Sequence, residues 1–228
     1  GMGILVLTIA LLPSLGARTL HVMKAESPGP IISKLVPRAS QTSKILYTIY
    51  FGLTVIMVLC LLVAGMPLYD CLVNAFATAG TGGFSVLNIS IGGYGSPACE
   101  IIIGVFMILF SVNFALYFLI LNGKVRQALK SDELRFFLLV VAVSVLLISF
   151  NINSMYPDYL TSLRHAFFQV STIISTTGFS SVDFDLWPEF SRTLLVLLML
   201  FGACAGSTGG GMKSCRVLLL LKCVRREI

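Results

Sequence analysis

Residues 202–213 read GACAGSTGGGMK, between the apolar runs LLVLLMLF and, after Ser214, CRVLLLLK. Glycine costs about 1 kcal/mol relative to alanine inside a helix, so Gly202, Gly206, Gly209, Gly210 and Gly211 must break one here. Backbone broken within a membrane is tolerated only where protein buries it or it lines a water-filled cavity. Ser207 and Thr208 bring hydroxyls that can satisfy freed carbonyls or coordinate an ion. Lys213 brings a charge that is expensive in lipid, placing it at a cavity or the cytoplasmic end, or leaving it to snorkel to the interface. Two other strips share this small, hydroxyl-bearing character: ATAGTGGFSV at 77–86 and IISTTGFSSV at 173–182. The chemistry open to such strips is replacement of a cation's hydration shell by backbone carbonyls, which here assigns the ion to the carbonyls of Thr81, Gly82, Thr177 and Gly178. Small residues also line packed helix interfaces, and Gly202-x-x-x-Gly206 fits that pattern taken alone. A phosphate-binding loop is excluded, because Met212 stands where a glycine must precede the lysine and no strand leads into the motif.

These strips require elements to hold them. The chain of 228 residues is 57% hydrophobic and 11% charged, far below the roughly 25% charge of soluble domains. It reads as an all-α integral membrane protein, and its net charge of +6 speaks to topology rather than to nucleic acid. Residues 2–15 read as a truncated apolar helix ended by Pro13 and Gly16, and the chain as a fragment of a longer protein. Residues 17–43 read as a polar loop. Segments 44–64, 98–121 and 136–152 approach or exceed the length needed to span, about 20 residues, and 190–224 is a long segment interrupted by the opening motif. Segments 68–79 and 161–174 are apolar but too short to cross.

Apart from Arg164 and Arg192, every Lys and Arg falls within 18–44, 124–135 or 213–226. These basic stretches are expected in the cytoplasm. Asp70, Glu100, Asp158, Asp183, Asp185 and Glu189 then fall on the outer side, where they would enrich cations. Each short segment leaves from and returns to that outer side, which makes it re-entrant. Span, short helix and span therefore occur twice in the same orientation, and aligning Thr81 with Thr177 relates the two copies at a separation of 96. A parallel repeat argues against the main alternative, a secondary transporter whose discontinuous helix binds substrate between inverted repeats. An enzyme lacks a candidate site: His21 and His165 read as surface or capping residues. The six cysteines are scattered without a C-x-x-C pair, which suits free thiols better than zinc or disulfides.

With these motifs in hand, the chain resembles the membrane subunit of the bacterial Trk/Ktr potassium uptake family, most closely its Trk type. That resemblance implies four helix–pore helix–helix repeats around a pore in the inner membrane. Thr81, Gly82, Gly83 and Phe84 match the family's second selectivity filter, and Ser175, Thr176, Thr177, Gly178 and Phe179 its third. Gly202–Lys213 matches the intramembrane loop that gates the pore. The resemblance divides the chain into the end of the first repeat (1–16), a cytoplasmic loop (17–43), the second repeat (44–122), a second cytoplasmic loop (123–135) and the third repeat (136–228). It also implies potassium as the transported ion, a homodimer, a cytoplasmic nucleotide-binding regulatory subunit and surrounding membrane lipid. The first filter and the fourth repeat are absent, so this chain alone is not expected to enclose an ion.

Overall fold

The computed structural model describes residues 39–227, with side chains over 44–224. The expected helix at 2–15, most of the 17–43 loop and His21 lie outside the described residues. The helices are α1 (Ala39–Val63), α2 (Leu68–Ala79), α3 (Pro97–Ser111), α4 (Phe114–Leu121), α5 (Val125–Leu129), α6 (Asp132–Ile152), α7 (Tyr159–Ile174), α8 (Glu189–Leu200) and α9 (Ser214–Glu227). Among the described residues there is no strand, only one isolated bridge between Phe201 and Met212.

Length separates the spanning helices from the short ones. At 1.5 Å per residue, the 25 residues of α1 reach about 37 Å, and the 21 of α6 about 31 Å, against a hydrocarbon core of about 30 Å. The 12 residues of α2 reach only about 18 Å. Gly65, at φ +88°, turns the chain after α1, and Pro67 opens α2. α1 starts before the expected residue 44. α6 starts at Asp132 rather than 136, because Asp132 and Glu133 lie in its first turn, where carboxylates complement the positive end of the helix dipole.

The expected single span at 98–121 is instead two helices bent by 93°. No glycine or proline causes the bend. Ser111 Oγ donates back to the Met107 carbonyl at 2.8 Å. Val112 and Asn113 then adopt extended backbone. Asn113 Oδ1 accepts the Ala115 N–H at 2.9 Å, so a side-chain cap starts a new helix in the middle of an apolar run.

Two hydrophobic cores result. Met57, Leu61, Ala75, Met107 and Phe110 centre the first, around α1–α3. Phe137, Ile148, Val170 and Leu195 centre the second, around α6–α8. The cores interlock: Phe168 and Phe179 from the second unit enter the first core, while Leu116 and Leu119 of α4 enter the second. Outward faces present Phe51, Leu139, Phe150 and Val196, an apolar coat suited to lipid.

A charged cluster also joins the units. Glu100, expected in an outer loop, lies in the first turn of α3 and is 5% exposed. The Nε of Arg164 lies 3.0 Å from its carboxylate and His165 Nδ1 3.8 Å away. His165 is therefore not the surface or capping residue expected. It is buried, with its ring 4.9 Å from that of Tyr156. Packing of α7 against α3 draws it inward. All six cysteines are free thiols.

The charge distribution and exposed loops generate a topology prediction. In a thiol-free background of the full-length protein, single cysteines at Asn88 and Asp185 should react with an impermeant maleimide from outside. One at Lys130 should react only after permeabilisation. The reverse pattern would invert the orientation.

Candidate functional site

Each short helix ends in a strip whose backbone repeats in detail. After α2, the N–H groups of Gly80, Thr81 and Gly82 donate to Phe76, Thr78 and Ala77 at 2.8, 3.1 and 2.7 Å. After α7, those of Ser175, Thr176 and Thr177 donate to Ser171, Ile173 and Thr172 at 3.1, 3.0 and 3.0 Å. Thr81 and Thr176 share φ of +52° and +60°, and Gly83 and Gly178 share +69° and +88°. Thr81 therefore corresponds to Thr176 and Gly83 to Gly178, a separation of 95 rather than the 96 expected from sequence. The expected register matched one threonine to the wrong member of the Thr176–Thr177 pair. Backbone conformation breaks that tie.

Positive φ is an outlier for a β-branched residue, and holding it costs about 1–3 kcal/mol. Both strained threonines are anchored through their hydroxyls. Thr81 Oγ1 donates to the Gly80 carbonyl at 2.7 Å and lies 3.3 Å from that of Thr208. Thr176 Oγ1 accepts the Gly210 N–H at 2.7 Å. The expected filter residues and the 202–213 loop are thus in direct contact. Ser175 and Thr177 hydroxyls pair at 2.7 Å. Phe179 is buried and Phe84 is 78% exposed.

The loop leaves and rejoins the helical path at one point. Gly202 N–H donates to Met212 O at 2.9 Å, Ser214 N–H to Ala203 O at 3.2 Å and Ser214 Oγ to Gly202 O at 2.7 Å. A Cβ at Gly202 would lie 2.4 Å from the Gly210 carbonyl oxygen, so the neck closes only around glycine. Ser207 Oγ donates to Cys204 O at 2.6 Å. Lys213 Nζ turns back to the Gly209 carbonyl.

The α3–α4 break receives the loop. Cys204 N–H donates to Ser111 O at 3.0 Å, Thr208 N–H to Phe110 O at 3.2 Å, and Phe114 N–H to Gly206 O at 3.0 Å. Thr208 Oγ1 also donates to Phe110 O at 3.0 Å. From the other side, Ala205 N–H donates to Glu133 Oε1 at 2.6 Å. Neither the break nor Glu133 was among the expected site residues. Ser111 and Asn113, two polar residues inside an apolar run, were the available signal for the break.

A tight turn at Ser90–Tyr94 braces the second strip and α2. Gly92 N–H donates to Ser180 O at 3.1 Å, and Ser180 N–H donates to Ser90 Oγ at 3.2 Å. Tyr94 O–H donates to Asp70 at 2.9 Å and accepts from Asn74 at 3.1 Å. Burial pushes the Tyr94 phenol above its ordinary pKa, so it stays a donor. Among the described residues, no group of three or more His, Cys, Asp or Glu could hold a metal ion.

The two strip glycines should differ in tolerance. A Cβ at Gly83 would sit 2.1 Å from the Thr177 carbonyl oxygen, whereas one at Gly178 meets nothing within 4 Å. Both substitutions force an L-residue to positive φ, costing about 1–2 kcal/mol. Gly83→Ala should therefore lower the thermal midpoint of the full-length protein more than Gly178→Ala. Equal shifts would contradict the inter-strip contact.

Comparison with known proteins agrees with this architecture. The family model described as "TrkH: Cation transport protein" matches residues 1–228. The chain is 40% identical over its whole length to the Trk system potassium uptake proteins TrkH of Salmonella typhimurium and Escherichia coli K12, and covers 48% of each. It is 36% identical to the E. coli K12 Trk system potassium uptake protein TrkG, covering 48% of it. The crystal structure of the potassium transporter TrkH from Vibrio parahaemolyticus superposes with a TM-score of 0.81 at 34% identity, over 99% of this chain and 46% of that one. The chain thus spans about half the length of the curated relatives it matches. With a family match end to end and the same helical fold, this chain is an integral membrane protein and belongs to the TrkH family of cation transport proteins.

Proposed function

We propose that the full-length protein containing this chain takes up potassium across the bacterial inner membrane, through a pore whose wall includes the strips at 80–84 and 175–179. Three relatives and the superposed structure are a potassium transporter or potassium uptake proteins by name. The observation that carries the reading is the bond-for-bond repetition of the two strips at a separation of 95. Positive φ at Thr81 and Gly83, and at Thr176 and Gly178, supports strips whose carbonyls could replace water around a cation. In the corrected register, equivalent carbonyls are those of Thr81 with Thr176, Gly82 with Thr177, and Gly83 with Gly178. Cargo potassium is assigned to these oxygens.

Residues 44–122 and 136–228 act as two quarters of a ring, with 1–16 ending the quarter before them. The burial of Phe179 in the preceding unit's core supports this. By the same rule, Phe84 packs on the quarter that precedes its own. Gly202–Lys213 is the gate: it touches the threonine at the inner end of each strip, so ions leaving the strips meet it next. A cytoplasmic nucleotide-binding subunit would act on it through the basic loop at 123–135 and the tail, and the assembly is a homodimer. The same-direction repetition disfavours a secondary transporter built on inverted repeats.

Rubidium and sodium uptake into proteoliposomes tests the reading. Deleting Ser207–Gly210 should raise rubidium uptake per folded protein, and Gly178→Ser should reduce rubidium-over-sodium selectivity. A folded deletion with unchanged flux would refute the gate, and unchanged selectivity would refute the filter.

A further inference from the structure

We propose that Glu133 is the latch that holds the 202–213 loop in its closed arrangement, an inference that rests on reading that loop as the gate. Glu133 lies in the first turn of α6, 72 positions before the loop residue it holds. Its carboxylate accepts the Ala205 N–H at 2.6 Å, and Ala205 is 1% exposed. The bond is charge-assisted and shielded from water, the strong class of hydrogen bond. The Cys215 amide in the first turn of α9 and Lys213 also lie beside this carboxylate. One side chain thus faces both the start of the loop and the helix that resumes after it.

Its other contacts differ in kind. The α3–α4 break and the strip threonines hold the loop through neutral backbone and hydroxyl groups, all within the helix bundle. Glu133 instead sits where α6 emerges from the loop between the two units, directly after α5 and Ser131. The preceding residue, Asp132, pairs with Lys222 of α9 at 2.6 Å. The first turn of α6 is therefore tied to α9 at the surface and to the loop beneath it. A force on the cytoplasmic linker or on α9 that shifts this turn withdraws the acceptor from Ala205. The loop then loses the only carboxylate holding it among the described contacts.

The test uses the full-length protein in proteoliposomes, with rubidium uptake and the reaction rate of a single cysteine at Ser207 with a charged thiol reagent. Glu133→Asp keeps a negative charge at the helix start but shortens its reach by one methylene. It should raise rubidium uptake about tenfold and speed labelling, as expected when a strong hydrogen bond is lost from one of two states. Glu133→Gln still presents an oxygen to the Ala205 N–H but without the charge, so it should raise uptake and labelling by less than Glu133→Asp does. The loop deletion runs beside them. If it raises flux while Glu133→Asp matches wild type in flux and labelling, the latch is wrong and the gate stands. If the deletion leaves flux unchanged, the gate reading fails and takes the latch with it. If Glu133→Gln opens the protein as fully as Glu133→Asp, the hydrogen bond to Ala205 is not what holds the loop.

Discussion

Two interrupted helices in this chain complete each other's hydrogen bonding. Each backbone polar group left unpaired in lipid costs several kcal/mol, so a break within the membrane needs a partner at the same depth. The α3–α4 break frees the carbonyls of Phe110 and Ser111 and the N–H of Phe114. The glycine loop supplies Thr208, Cys204 and Gly206 to meet them at 3.2, 3.0 and 3.0 Å. Phe110 accepts a second bond from Thr208 Oγ1 at 3.0 Å, using the other lone pair of its carbonyl oxygen. Neither break is affordable without the other. The loop's position against the strips follows from that exchange.

The strips depend on the same contact. Thr81 and Thr176 hold a strained backbone, and their hydroxyls reach the loop at Thr208 and Gly210. Strip shape and loop position are therefore mechanically linked. A loop that moves must surrender bonds to the break and to both threonines. Any displacement of the loop would therefore also disturb both strips.

Much of this was legible in the sequence. Hydropathy and length located α2 to the residue, because Pro67 and Gly80 bracket it. The glycine density of 202–213 marked the loop. Three features were misread, each for an identifiable reason. The bend at 112–113 comes from an asparagine cap rather than from glycine or proline, so the run from Pro97 to Leu121 reads as one span. The strip register was misset by one because Thr176 and Thr177 are identical in type, although the Gly-Phe-Ser shared by 83–85 and 178–180 already favours a separation of 95. Glu133 read as part of a charged loop, since its partner lies 72 residues away and donates through backbone, which leaves no side-chain signature. His165 misled for a related reason: it is buried where α7 packs against α3 and beside the Tyr156 ring, contacts distant in type or sequence from any local signature.

Residue-resolved hydrogen exchange of the full-length protein in lipid tests the mutual saturation of the two breaks most directly. The amides of Phe114, Cys204 and Thr208 should be protected together in the intact protein. Deleting Ser207–Gly210 should raise the exchange rate at Phe114, although that residue lies on a different helix and far from the deletion in sequence. Phe114 protection unchanged by the deletion, in a protein that still folds, would contradict the account.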